Sequence, residues 1–241
     1  MSTICLRDIE NWLHHWAPTE TAASWDNVGM QIGDRRQSVS RVLLSLDVDQ
    51  LCLDTMDQFK PHLVITHHPI FFKPLKSINY DSDMGRILTQ FFKHKTALLT
   101  AHTNLDCAIG GVNDTFASYF GFQMENGKPL HGAFGKVFSE TRSIDSLLSV
   151  MPAELKGDTE KENVHKIAVC CGSGHGMVSL LPELGIDCLI TGEITYHDHV
   201  FCNMHAISVI TVGHKESEDL IVPIMGKQLA QSFGALTIEE I

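Results

Sequence analysis

The stretch His62-Leu63-Val64-Ile65-Thr66-His67-His68-Pro69 decides the fold. Its first five residues form a short, apolar, β-branched run, the pattern of a fully buried strand. The run stops on two histidines and a proline, so the strand predicted over 62–66 delivers metal-competent side chains at its carboxyl end. Open α/β sheets place their ligands there. Pro69 disfavours helical geometry at His68 and keeps the pair extended. Successive side chains of extended chain point to opposite sides, so the two imidazoles are expected to diverge and to chelate one ion poorly. Each can hold a different ion of a pair, or one can be a ligand and the other its support. The competing reading is a strand-end cap beside an exposed imidazole. The strand-end position favours the ligand reading.

Working outward, Arg41–Val48 (RVLLSLDV) reads as a buried strand followed by a helix to about Phe59. Met84–Phe92 is helical in pattern, Thr96–Ala101 (TALLTA) is another strand, and a helix is expected over Val112–Phe120. Ahead of these, Ser2 or Thr3 can cap a helix whose apolar face is Ile9, Trp12, Leu13 and Trp16, with Pro18 ending it. The second half repeats the alternation. Strands are expected over 165–171, 188–191 and 207–212, helices near 177–181, 197–204 and 215–231, and a turn at Gly172-Ser173-Gly174. Strand–helix alternation of this kind implies an α/β layered fold. The Gly- and Pro-rich stretch Asn126–Lys136 is the best candidate boundary, which gives two similar α/β lobes, 1–125 and 126–241.

Composition narrows the function. The 241 residues are 44% hydrophobic and 20% charged, which excludes disorder. Lys+Arg is 18 against Asp+Glu 29, a net charge of -11, and this argues against a general nucleic-acid binder, which needs a basic face. No apolar run suits a membrane span, and the first residues lack the layout of a signal peptide, so a cytoplasmic location is expected. Seven cysteines without a C-x-x-C fit buried thiols better than disulfides or a zinc–thiolate site. The 14 histidines are the unusual feature.

Three further motifs fall at strand ends. His102-Thr103-Asn104-Leu105-Asp106 follows the TALLTA strand, and neighbouring strands would bring His102 and Asp106 to face His67 and His68. Imidazole with carboxylate suits Zn, Fe, Mn or related ions, although a lone loop aspartate is more often a turn residue. Gly213-His214-Lys215-Glu216-Ser217-Glu218 opens a helix on which His214 and Glu218 are four apart and share a face. Spacing alone leaves that pair evenly balanced between ligands and a solvated first turn. Thr191-Gly192-Glu193 leads into Tyr196-His197-Asp198-His199, where Glu193, Tyr196 and His197 can line a pocket and at most one of His197 and His199 belongs to a site. Gly172–Gly176 is too short for a nucleotide loop and reads as a tight turn. Neither a G-x-S-x-G elbow nor an H-E-x-x-H is present, so no triad hydrolase is indicated. His14, His15, His94, His131, His165 and His205 read as structural or exposed.

The ordered set Ser24-Trp25-Asp26-Asn27-Val28-Gly29-Met30, Thr66-His67-His68-Pro69, His102–Asp106 with Gly110-Gly111-Val112-Asn113-Asp114, Thr191-Gly192-Glu193 and Gly213-His214 with Ser217-Glu218 resembles the GTP cyclohydrolase 1 type 2 homologues, the NGG-interacting-factor-3-like family. The match runs from about Trp25 to Glu218. The resemblance implies two interleaved α/β lobes with a dinuclear metal site between them and a toroidal homohexamer, a dimer of trimers. It implies two divalent ions per subunit (Zn, Fe, Mn or Co) on His67, His68, Asp106, His214 and Glu218, with Glu218 bridging. The implied activity is a metal-dependent hydrolase of a small cyclic or amide-type substrate, GTP ring opening with formate release among the options. His102 and Glu193 would move protons, and Lys73, Lys76 and Lys215 would be the cations for a triphosphate. Lys215 departs from the aromatic or histidine residue usual at its position. The alternative is a non-enzymatic, ring-shaped metal-binding scaffold or regulatory protein that contacts a transcription factor or nucleic acid.

Overall fold

In the computed structural model, residues 3–241 are described, apart from the side chain of His131. In chain order the helices are α1 (Leu6–Trp16), α2 (Gln50–Phe59), α3 (Asp83–His94), α4 (Thr103–Cys107), α5 (Val112–Tyr119), α6 (Ile144–Leu148), α7 (His175–Val178), α8 (Tyr196–Met204), α9 (His214–Glu218) and α10 (Ile221–Ser232). The strands are β1 (Gly29–Ile32), β2 (Arg41–Ser45), β3 (Leu63–Thr66), β4 (Ala97–Thr100), β5 (Lys128–Pro129), β6 (Lys136–Ser143), β7 (Glu154–Gly157), β8 (Asn163–Ser173), β9 (Cys188–Glu193), β10 (Ser208–Thr211) and β11 (Thr237–Glu240). The chain is a mixed α/β protein of two compact units, the first made of 1–105 and 221–241 and the second of 106–220. The second unit is thus inserted into the sequence of the first.

In the first unit the sheet order is β1-β4-β3-β2-β11. β3 lies parallel between β2 and β4, and every one of its residues is buried. This accounts for the unbroken apolar run of its sequence, because a parallel strand is covered on both faces. Leu43, Val64 and Leu98 from three strands pack with Cys52 and Met56 of α2 and Phe91 of α3. The registers pair Ser45 with Thr66 and Thr66 with Thr100. His67 and Ala101-His102 therefore leave the sheet along one edge.

In the second unit the order is β5-β6-β8-β9-β10-β7. β8, β9 and β10 are parallel, with Cys170 beside Thr191 and Thr191 beside Thr211. Leu130, Ala168, Leu189, Cys202, Ile207 and Val209 belong to its core. The stretch 126–136 lies within this unit, where Gly127 sits so close to Phe138 that a Cβ would come within 2.8 Å of its ring.

Three local expectations change. The first helix is capped at Cys5, whose N–H donates to Asp8 Oδ2 (2.8 Å); Thr3 precedes it and Ser2 lies outside the described residues. The residues Gly172 and Ser173 continue β8 rather than forming a turn, with a bulge against β9 and Gly172 at φ 58. The single helix over 215–231 is two, because Pro223 has no N–H to offer the carbonyl four residues back and α9 ends before it. All seven cysteines are free thiols, five of them buried. Among the described residues, no helix is long and apolar enough to cross a membrane.

Candidate metal centre

In the first unit, the ends of β3 and β4 bring His67, His68 and His102 together. Their ring centroids are 5.0 to 5.3 Å apart, and one ring nitrogen from each lies within 4.8 Å of the others. The expected divergence of His67 and His68 is not found. β3 ends at Thr66, whose hydroxyl donates to the carbonyl of His68 (2.8 Å), so the alternation of extended chain no longer governs the pair.

Each of the three rings is held by its Nδ1. His67 Nδ1 donates to the carbonyl of Ala101 (2.9 Å), His68 Nδ1 to Asp47 Oδ1 (2.9 Å) and His102 Nδ1 to Asp26 Oδ1 (3.0 Å). Carbonyl and carboxylate oxygens only accept, so the proton belongs on Nδ1 and the lone pair on Nε2. This tautomer is the one that ligates a metal through Nε2, with the other nitrogen orienting the ring. The Asp26 side chain is buried. Burial pushes its carboxyl up, but hydrogen bonds from His102 and from the hydroxyl and N–H of Thr103 outweigh it and hold the pKa at about 2. Buried Asn104 accepts from the N–H of His102 (3.0 Å) and donates to the carbonyl of Ala17 (2.7 Å), which fixes the backbone under the ring.

The second unit carries carboxylate donors. His214 Nδ1 donates to Glu193 Oε1 (3.0 Å), and His214 Nε2 lies 3.3 Å from Glu218 Oε2. The hydrogen bond to Glu218, then that to Glu193, raises the His214 pKa to about 9. A place that holds a proton this firmly is one where a cation is favoured. Gly172 makes the room: a Cβ there would come within 2.2 Å of Glu218 Oε1 and 3.3 Å of His214 Nε2. Ser217 locks the bulge to α9, accepting from the N–H of Gly172 (2.8 Å) and donating to the carbonyl of His214 (2.7 Å).

Asp106 accepts the Cys171 S–H at Oδ1 (3.4 Å). Burial and the neighbouring Asp106 drive the Cys171 thiol well above its ordinary pKa, in keeping with the S–H that it donates to Asp106. Asn113 bridges the two backbones, donating to the carbonyl of Asp106 (3.1 Å) and accepting from the N–H of Cys171 (2.8 Å). A cavity of about 530 Å³ at the ends of β9 and β10 is lined by Glu193, Glu216, Gly192 and Gly213 among others.

Of the fourth motif, only Glu193 contacts a candidate ligand. Tyr196 and His197 are exposed on α8, and His199 accepts from the N–H of Gly157 (3.0 Å) as a structural tie. Lys215 pairs with Asp219 (2.8 Å). Asp26, Asp47, Asn113, Cys171, Gly172 and Ser217 carried no assigned role in the sequence. Each has a partner 21 to 77 residues away; the Ser217 hydroxyl also reaches His214, three residues back, and the Asn113 amide the Asp106 carbonyl, seven back.

A protein of two α/β units that lines the carboxyl ends of its parallel strands with Nδ1-anchored histidines and carboxylates has the donor chemistry of a divalent-metal protein. The chain belongs to the Duf34/NIF3 (NGG1p interacting factor 3) family, whose profile matches residues 4–241. It is 31% identical over 227 residues to the GTP cyclohydrolase 1 type 2 homolog of Clostridium perfringens, covering 88% of this chain and 86% of that one. It is 29% identical to the GTP cyclohydrolase 1 type 2 of Helicobacter pylori over 97% of this chain and 95% of that one. Among solved structures, reduced HcgD from Methanocaldococcus jannaschii superposes with a TM-score of 0.90 at 21% identity, covering 100% of this chain and 98% of that one.

Proposed function

We propose that the chain is a divalent-metal-dependent hydrolase of a small cyclic or amide-type substrate, with His67, His68, Asp106, His214 and Glu218 as metal ligands. The observation that carries this reading is the common anchoring of Nδ1 on His67, His68 and His102 by acceptors that leave the lone pair on Nε2, with His214 anchored at Nδ1 by Glu193 and facing Glu218 through Nε2, where a cation can replace its proton. A structural histidine needs no such uniformity. The names of relatives at about 30% identity support the same reaction class.

Bound divalent ions supply Lewis-acid polarisation and a nucleophilic water at neutral pH. The chain's own residues supply the rest. His102, held by the buried Asp26 carboxylate, is oriented to take a proton through Nε2, and Asp26 stabilises the imidazolium that results. Glu193 orients His214 through one oxygen and offers the other for proton transfer. The homohexamer remains part of the proposal, tested by light scattering.

The test begins with elemental analysis. About two divalent ions per chain are expected, lost in His67→Ala and in Glu218→Ala. Protein loaded with Mn, Fe, Zn or Co is then offered GTP and other cyclic amides. If no turnover is found that both variants abolish, the hydrolase reading falls.

A further inference from the structure

Beyond α7, a single turn of four residues, the segment 180–184 packs against the β5–β6 end of the second-unit sheet. The Leu184 N–H donates to the carbonyl of Leu180 (3.2 Å), which closes a helical turn. Residues four apart in such a turn share a face, so Leu180 and Leu184 look the same way. With Leu130, which follows β5, and Val137 of β6 they wall a cavity of about 310 Å³. That is the small end of the ~300–1,000 Å³ range of small-molecule sites. The walls are fixed from behind: Leu130 and Leu181 belong to the core, and the Ile186 N–H donates to the carbonyl of Leu181 (3.0 Å).

Three charged side chains line the same cavity: exposed Lys128, half-buried Lys166 and exposed Glu183. Lys166 Nζ donates to the carbonyl of Leu184, which holds its ammonium at the cavity. The Asp187 carboxylate is engaged instead by the backbone N–H groups of His165 and Lys166 (2.9 to 3.1 Å). Among the described residues none of the three charges forms an ion pair, whereas Lys136 and Lys156, half-buried like Lys166, each hold a carboxylate at 2.9 and 3.2 Å. Opposite charges that line one apolar cavity without closing on each other are complementary to a ligand that carries both signs. Beside apolar walls each such charge attracts its counterpart more strongly than in open water.

We propose that this cavity binds a free amino acid with a branched aliphatic side chain. The α-carboxylate meets the ammonium groups of Lys128 and Lys166, the α-ammonium meets Glu183, and the side chain is buried against the four apolar residues. A simple carboxylate would be opposed by Glu183, and a simple amine by two lysines of its own sign, so the zwitterion alone matches all three charges. The apolar walls select against glycine, which brings no surface to bury. Lys166 lies six residues before Gly172 on β8, about 20 Å along an extended strand. The occupant is therefore an effector and not a substrate of the proposed metal centre, and neither the metal nor the hydrolase reading is needed for it.

Wild-type protein is titrated with L-leucine by calorimetry and ligand-observed saturation-transfer NMR, beside glycine, 4-methylpentanoate and 3-methylbutylamine. Saturable binding of leucine is expected, with each of the other three weaker by about 10-fold or more. Glu183→Gln and Lys166→Met should each weaken leucine binding by about 10-fold. Lys166→Met loses the donor to the Leu184 carbonyl, but Glu183 is exposed, so Glu183→Gln keeps the fold and remains informative if the lysine variant does not. Metal content should not change in either. No leucine binding in the millimolar range, unaltered affinity in Glu183→Gln, or equal binding of the carboxylate or the amine alone would overturn the site. Leucine binding that depends on Glu183, with no turnover by any metal-loaded form, would sink the hydrolase and leave the effector site standing.

Discussion

Gly172→Ala separates the backbone requirement at the β8 bulge from the requirement for room around Glu218. Gly172 has φ 58, so alanine there suffers the left-handed penalty of about 1 kcal/mol. Its Cβ would also meet Glu218 Oε1 at 2.2 Å, and ordinary contact begins near 3.4 Å, so the carboxylate must retreat by more than an ångström. Because that atom is the far end of a flexible side chain, the retreat adds little to the loss of stability. It moves a proposed ligand off its place and away from His214, 3.3 Å distant.

Gly185→Ala is the control. Gly185 has φ 63, and nothing lies within 4 Å of where its Cβ would be. Both variants should lose about 1 kcal/mol, a fall in Tm of roughly 2–4 °C for a chain of this size. Only Gly172→Ala should lose metal affinity, by about 10-fold or more, read by competition with a chromophoric chelator for zinc. Equal zinc affinity in the two variants would refute the placement of Glu218 among the ligands.

Other expectations follow from the buried contacts. The Asp26 pKa of about 2 lies below its ordinary value of 3.8, so its contribution, up to roughly 2 kcal/mol, is complete above that value and disappears as pH falls toward 2. Chemical denaturation at pH 6 should therefore separate wild type from Asp26→Asn, and the gap should close near pH 2. Asn113→Ala strands the buried N–H of Cys171 and removes the donor to the Asp106 carbonyl, at a cost of about 1–3 kcal/mol, measured by the urea midpoint. Cys171, with its thiol held protonated, should resist iodoacetamide at pH 8 in the folded protein and react once it is unfolded; fast modification of the native state would contradict the donor role toward Asp106.

The parallel strands were legible because burial on both faces writes a continuous apolar run into the sequence, as in Leu63–Thr66 and Cys188–Thr191. The edge strands and the antiparallel β6 were not. β1 and β7 are four-residue antiparallel edges, the parallel edge β11 (Thr237–Glu240) is mostly exposed, and β6 carries Ser139, Glu140 and Thr141 in mid-strand. Such strands are specified by the neighbour they pair with and not by their own pattern. The return of the chain at Ile221 to complete the first unit is likewise a tertiary event, marked locally only by Pro223.

The candidate site divides the same way. Residue type and strand-end position single out His67, His68 and His102 as candidates, whereas the spacing of His214 and Glu218 leaves that pair evenly balanced until the family resemblance is considered. What those signals cannot supply is tautomer. A neutral imidazole is a ligand through one nitrogen only if something accepts the proton on the other, and the acceptors here come from β2's following loop, from the residue after β4 and from a segment 76 residues before His102. The divergence expected of His67 and His68 is not found either, because the pair lies beyond the end of β3 at Thr66, where strand alternation no longer governs. The candidate donors are thus marked locally in this sequence, whereas the readiness of their rings to ligate is set by distant, largely unpatterned oxygens. Substitutions at Asp47 or Glu193 should therefore weaken metal binding in stages, by releasing the His68 and His214 rings that are still present, and not in the single step expected when a ligand itself is removed.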